Sequence, residues 1–95
     1  MAYHRNVLSL PPRLVEAEPL DDYEVHLRFA DGLAADVDLS YLLDFGGVFE
    51  PLRDPEFFRQ VFIDGPSIAW PNKADIAPET LYDKVQLAVY KKRRR

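Results

Sequence analysis

The sequence predicts an α+β fold: a small antiparallel sheet, made of a three-strand meander plus a C-terminal strand pair, packed with a short helix near 54–60 and a C-terminal helix near 78–90. Two patterns carry this prediction. Apolar and polar residues alternate from Tyr23 to Phe29 and again from Ala35 to Leu39, as in half-buried strands. After Pro78, apolar residues recur at helical spacing. The 95 residues suit a single hydrophobic core.

The turn between the two alternating segments decides their register. A two-residue turn at 31–32 sets the apolar face of one strand against the polar face of the other. A three-residue loop at 30–32, with Gly32 in the left-handed position of a bulge turn, keeps one face apolar throughout. We therefore predict the second register, which pairs Phe29 with Leu33, Leu27 with Ala35, Val25 with Val37 and Tyr23 with Leu39.

The meander is completed by an earlier strand at residues 14–17. Val15 and Ala17 are expected to face inward, Glu16 and Glu18 to face outward, and Pro19 to stop the strand because it lacks an amide donor. The resulting sheet has one apolar face and one polar face.

A turn and an irregular or short helical segment are expected over residues 40–53. Asp54 then caps a helix of about two turns, with Pro55 at its first position. Two short strands joined at Gly65 and Pro66 follow, and the last helix carries one apolar stripe formed by Leu81, Tyr82, Val85, Ala88 and Val89.

Three parts are predicted along the chain: an extended N-terminal arm at 1–12, one α+β domain at 13–90, and a basic tail at 91–95. The arm holds Pro11 and Pro12 and no regular periodicity. The tail consists of Lys91, Lys92, Arg93, Arg94 and Arg95.

Composition narrows the classes of function. The sequence has no cysteine, so thiolate metal sites and disulfides are excluded, and no cofactor is expected. No apolar run approaches the roughly 18 residues of a membrane span, which predicts a cytoplasmic protein without membrane contact.

The net charge is −4, but the tail supplies five of the 12 bases, so residues 1–90 carry 7 − 16 = −9. Such a body repels nucleic acid, whereas the tail attracts it.

Four ordered motifs resemble the bacterial domain-of-unknown-function family 2442. They lie within residues 13–82, and their sequences are RLVEAEPL, LRFADG, GVFEPLRDP and WPNKADIAPETLY. The resemblance implies a compact α+β domain on an antiparallel sheet and implies no catalytic residues. Some relatives look fused to a helix-turn-helix module, and others look paired with a second small protein in a manner similar to toxin and antitoxin pairs.

Two residues depart from the pattern that this family resemblance implies. Lys73 stands where the loop usually looks glycine-like, and a side chain makes a left-handed backbone less easy. Ala77 stands where an acidic helix cap is common, and its loss weakens a helix start by about 1 kcal/mol.

One constellation of polar residues resembles a site. The predicted register places His26 beside Asp36 and Glu24 beside Asp38 on the polar sheet face, with Arg28 diagonal to Asp36. A histidine among carboxylates can bind a divalent cation or transfer protons. A solvated sheet face has the same alternation, and the set lacks a second histidine and a nucleophile, so we assign no metal ligands and no catalytic residues.

A second candidate is the loop at 70–75, which combines Trp70, Asn72, Lys73 and Asp75. Loops on rigid scaffolds carry recognition, and tryptophan is frequent at binding hot spots. In the alternative interpretation, Trp70 fills the core while Asn72 and Asp75 close turns and caps.

The leading hypothesis is a non-enzymatic interaction module that binds another small protein in a regulatory or antitoxin-like role. It rests on the acidic strand residues Glu16, Glu18, Glu24, Asp36 and Asp38, which suit a basic partner.

A second hypothesis is nucleic-acid association through Lys91–Arg95, with Lys84. A third is a small ligand-binding or enzyme domain that uses His26 or the Trp70 loop. Homodimerisation through a sheet edge or the arm is also open.

Overall fold

The computed structural model describes residues 11–93 and confirms the α+β class. Its elements are β1 (Leu14–Pro19), β2 (Glu24–Phe29), β3 (Ala34–Asp38), two 3₁₀ helices (Ser40–Phe45 and Gly47–Arg53), α1 (Pro55–Phe58), β4 (Phe62–Asp64), β5 (Ser67–Ala69) and α2 (Pro78–Arg93). Strands β1, β2 and β3 form one antiparallel sheet in that order, and β4 and β5 form a second.

The register of the β2–β3 hairpin is the predicted one. Val25 lies opposite Val37 and Leu27 opposite Ala35. The Phe29 amide donates to the Leu33 carbonyl at 2.8 Å, which closes a three-residue loop. Gly32 has φ +90°, in the left-handed region that its lack of Cβ makes accessible.

The first strand differs from the prediction in which side chains face inward. The register shifts between Leu14 and Glu16, so the strand contains a bulge there. Leu14 is buried opposite Phe29, whereas Val15, which alternation placed inward, is only half-buried. The strand ends at Pro19, as predicted, but it includes Glu18 and Pro19 itself, which pairs with Val25. An edge strand accommodates proline because its missing amide faces away from the neighbouring strand.

The turn between β1 and β2 uses two residues that the alternation assigned differently. Asp22 and Tyr23 have φ of 60° and 64°, and the Glu24 amide donates to the Asp21 carbonyl. This geometry is that of a type I′ hairpin turn, which needs positive φ at both central residues. Tyr23 therefore belongs to the turn and not to β2.

The connection from β3 to the second sheet consists of helical segments. Its α-helix, α1, is shorter than the predicted helix near 54–60. Asp54 caps α1 through an Oδ1 that accepts from the Glu56 amide at 3.0 Å, and Pro55 takes the first position. The helix has one turn instead of two, because the Gln60 and Val61 amides bond three residues back, to carbonyls of the final α1 turn. Its buried anchor is Phe58.

The core lies between the inner face of the three-strand sheet, β5 and α2. Its largest fully buried side chains are those of Trp70, Phe29, Phe58, Leu27, Leu39, Leu52, Ile68 and Leu81. Phe62 of β4 lies outside this core and is 45% exposed. The strand's three residues are all exposed, so β4 protects little apolar surface.

Helix α2 extends three residues beyond the predicted end at 90. Leu81 and Val85 of its stripe are fully buried, and Tyr82 and Val89 are half-buried against the core. Lys91, Lys92 and Arg93, the first residues of the predicted tail, continue the helix. The remaining tail residues, and residues 1–10 of the predicted arm, lie outside the described residues. Pro11 and Pro12 form neither helix nor strand.

Candidate binding surface

The outer face of the three-strand sheet carries the charged residues that alternation placed there. Successive rows across the strands hold Glu16, Arg28 and Ala34; Glu18, His26 and Asp36; and Glu24 with Asp38. The opposite face of the same strands packs into the core, so these side chains are directed away from it. We call Glu16, Glu18, Glu24, Asp36 and Asp38 the acidic face.

Two contacts hold part of this surface in place. His26 Nδ1 lies 2.7 Å from Asp36 Oδ1, with the two side chains 32% and 54% exposed. Arg28 Nε donates to Glu16 Oε1 at 3.1 Å. The sequence suggested Asp36 as the diagonal neighbour of Arg28, but β1 supplies a carboxylate directly opposite it. Exposed pairs of this kind contribute about 0–1 kcal/mol each, so they orient the surface more than they stabilise the fold.

The remaining carboxylates of the acidic face have no cation partner among the described residues. Glu24 lies opposite Asp38, and the side-chain carboxylates of Glu18 and Glu24 enter no hydrogen bond or ion pair within residues 11–93. Asp38 only accepts from the Ser40 amide, at 2.8 Å. With Arg28 included and His26 neutral, the surface carries 1 − 5 = −4. No three His, Cys, Asp or Glu side chains among the described residues are grouped to hold a metal.

Trp70 lies in the core and is almost completely buried. It is 1% exposed, its indole nitrogen donates to the Phe58 carbonyl at 2.9 Å, and its ring lies 5.7 Å from that of Phe58. A buried indole with its donor satisfied has no free surface to offer a partner. The geometry therefore corresponds to the core interpretation of this tryptophan.

The rest of the 70–75 loop is organised by Asn72. Its Nδ2 donates to the Val48 carbonyl at 2.8 Å, and its Oδ1 accepts from the Ala74 amide at 3.2 Å. Lys73 is exposed and has φ +75°, so the backbone is left-handed here although the residue carries a side chain. Asp75 is exposed and bridges Ala69. Asn72 thus fastens the loop, while Lys73 and Asp75 remain accessible.

His26 and Trp70 do not form one site. The first lies on the outer face of the sheet and the second is buried in the core on the other side. Two concavities lie away from both residues. One of about 510 Å³ is lined by Ser67 and Asp75 among others, and one of about 360 Å³ is lined by Asp21 and Arg59 among others. The Ser67 hydroxyl is buried and has no hydrogen-bond partner among residues 11–93.

A groove that the sequence analysis missed lies between β3 and α2. It has a volume of about 170 Å³ and is lined by Asp36, Val37, Asp38, Lys84, Leu87, Ala88 and Lys91. The only sequence signal for it is the spacing of its helical residues, which places them on one flank of α2. Near this groove, Lys84 Nζ lies 4.0 Å from the centre of the Tyr41 ring, and burial raises the pKa of the Tyr41 hydroxyl.

A search for membrane spans gave a negative result: within residues 11–93, no helix is both long and apolar enough to cross a bilayer.

These features define a class, a small α+β domain with one face of its meander sheet packed into a core and the other open and acidic. The family comparison specifies it further. The model of the family described as "Protein of unknown function (DUF2442)" matches residues 14–86, most of the chain, and the chain belongs to that family. Searches of curated proteins and of solved structures returned no match.

Proposed function

We propose that this chain is a cytoplasmic, non-enzymatic interaction module that binds a basic region of another small protein through the acidic face, in a regulatory, antitoxin-like role. The observation that carries the proposal is that Glu18, Glu24 and Asp38 on the outer sheet face have no cation partner among residues 11–93. Electrostatic complementarity accelerates association and excludes acidic partners.

The chemistry of the same surface supports a binding role over a catalytic one. His26 is held by Asp36, and no serine among the described residues adjoins it: Ser40 follows β3, and Ser67 is buried on β5. A histidine without a nucleophile or a bound substrate cleft has no acyl-transfer chemistry to perform. A binding surface requires only the charge pattern that is present.

The test compares wild type with a face variant, Glu18→Gln, Glu24→Gln and Asp38→Asn, as immobilised bait in native lysate. The matched control is Asp44→Asn, Glu56→Gln and Asp64→Asn, which removes the same charge from exposed positions outside the sheet face. We expect wild type and control to retain the same basic protein at low salt and the face variant to lose it. Retention should fall as salt rises because the charges are screened.

Two results would overturn the proposal: no partner retained at low salt, or equal retention by the control and the face variant. The antitoxin-like part has its own readout. We expect the retained partner, produced alone in a bacterial strain, to inhibit growth, and co-production of this chain to relieve the inhibition. A harmless partner would leave a binding module without that role.

A further inference from the structure

Strand β3 is an edge of the three-strand sheet, with β2 on one side. The Phe29 amide bonds to the Leu33 carbonyl and the Leu39 amide to the Tyr23 carbonyl. In an antiparallel ladder, residues that bond the neighbour alternate with residues whose amide and carbonyl point away from it. Ala34, Asp36 and Asp38 therefore direct their backbone groups towards the open edge.

Helix α2 forms a wall beside this edge. The groove between them has apolar lining from Val37, Leu87 and Ala88, and Leu87 is 52% exposed. A strand added along β3 would project alternate side chains to the two faces of the sheet. Those on the inner side would meet Leu87 and Ala88, and those on the outer side would stand next to Asp36 and Asp38.

The groove is lined by Lys84 and Lys91 on α2 and by Asp36 and Asp38 on β3, so the charge that selects its occupant is that of the β3 side. Outer-side residues opposite Asp36 and Asp38 are stabilised when they are basic. A second copy of β3 is disfavoured, because antiparallel pairing centred on Asp36 sets the two Asp36 carboxylates opposite each other. The two aspartates thus oppose self-association while favouring a basic strand.

We propose that a partner's extended segment, with basic and apolar residues in alternation, adds antiparallel to β3 as a fourth strand and covers Leu87. The inference rests on the proposed function and names the binding mode: backbone hydrogen bonds to Ala34, Asp36 and Asp38 supply affinity, and the alternation supplies specificity. Charge attraction alone would require neither the backbone bonds nor the order of residues.

The probe is the acetylated, amidated peptide Lys-Val-Lys-Val-Lys-Val-Lys, titrated against the full chain at low salt. Its lysines would lie opposite Asp36 and Asp38, so their amides would face β3, whereas the valine amides would face away. Two N-methylated peptides test this difference. One carries methyl groups on the three valine amides, and the other carries them on the amides of the last three lysines. We expect N-methyl-valine peptide to bind like the parent and a peptide with N-methylated lysines to bind about tenfold more weakly.

A shuffled peptide, Lys-Lys-Lys-Lys-Val-Val-Val, separates the inference from the proposed function. If both methylated peptides and the shuffled peptide bind like the parent, the acidic face attracts charge and strand addition is wrong. If the parent peptide does not bind at all, strand addition is also wrong. The lysate experiment with the face variant judges the proposed function independently in either case.

Two measurements on the protein locate the peptide. Amide hydrogen exchange of Ala34, Asp36 and Asp38 should slow in the parent complex and stay fast with N-methylated lysines. Leu87→Ser should weaken parent binding about fivefold, because apolar contact in the groove is lost. Ile63→Ser, at a similarly exposed position on β4, is the matched control and should bind like wild type. Unchanged exchange at those amides would overturn the proposal.

Discussion

At the scale of single residues, Tyr23 shows how tertiary contacts hold an unfavourable backbone. Its left-handed φ of 64° costs an L-residue roughly 1–2 kcal/mol. The ring packs edge-on against Phe58 with centroids 5.2 Å apart, and the hydroxyl donates to the Arg53 carbonyl. These contacts join the β1–β2 turn to the chain around α1 and offset the conformational cost.

Replacing Tyr23 tests this coupling. Tyr23→Phe keeps the ring contact and removes the donor to Arg53, so we expect the free energy of unfolding to fall by about 1 kcal/mol in urea denaturation. Tyr41→Phe is the control, since that hydroxyl enters no hydrogen bond within residues 11–93, and its unfolding free energy should stay near that of wild type. Equal effects of the two substitutions would contradict the assignment.

Lys73 is another residue whose backbone conformation the side chain disfavours. Lys73→Gly relieves the left-handed strain at φ +75° and should raise the free energy of unfolding by about 1 kcal/mol, measured by urea denaturation. Lys73→Ala removes the charge but keeps Cβ, so it should give no comparable gain. Stabilisation by alanine as large as by glycine would point to charge and not to backbone strain.

At the scale of elements, helix α2 begins without a side-chain cap. The Leu81 amide donates to the Ala77 carbonyl at 3.1 Å, which makes exposed Ala77 the N-cap position. Its methyl group accepts no hydrogen bond. The helix is therefore stabilised mainly by its buried stripe, in which Leu81 and Val85 are fully enclosed.

A cap introduced at Ala77 should stabilise α2. Ala77→Ser supplies a side-chain acceptor at the N-cap position and should raise the thermal midpoint, equivalent to about 1 kcal/mol. Ala77→Val adds volume without an acceptor and should not raise it. A serine variant with the wild-type midpoint would show that another group already satisfies the amides of the first turn.

At the scale of the whole molecule, charge is divided between an acidic sheet face and a basic C-terminal end. The two offset each other in the total of −4 but lie on different elements, β1–β3 and the end of α2. A basic partner of the acidic face is attracted by the first and repelled by the second.

Shortening the chain tests that division. A chain ending at Lys92 keeps Lys91 in the groove and changes the net charge from −4 to −7, by removal of three arginines. At low salt, we expect it to associate about twofold faster with Lys-Val-Lys-Val-Lys-Val-Lys in stopped-flow fluorescence, and at wild-type rate at high salt. Slower association would instead place the binding element in the tail.

The predicted parts of the fold are those that local pattern determines. The β2–β3 register followed from residues 22–39 because only one loop length kept an apolar face, and the α2 stripe followed from helical spacing. The pairing of His26 with Asp36 on the candidate surface was also predictable, because it follows from the same register. The β1 bulge was not, since Leu14 and Val15 are both apolar and alternation does not distinguish them.

The sequence by itself determined the class of fold, the β2–β3 register and the acidic outer face, because alternation and charge are properties of neighbouring residues. Only the tertiary structure decided that Trp70 is core, since its indole bonds a carbonyl twelve residues earlier. Only the tertiary structure also shows the groove between β3 and α2, because its two walls lie more than 40 residues apart in the chain. Both depend on contacts that close long loops, and such contacts leave no local pattern.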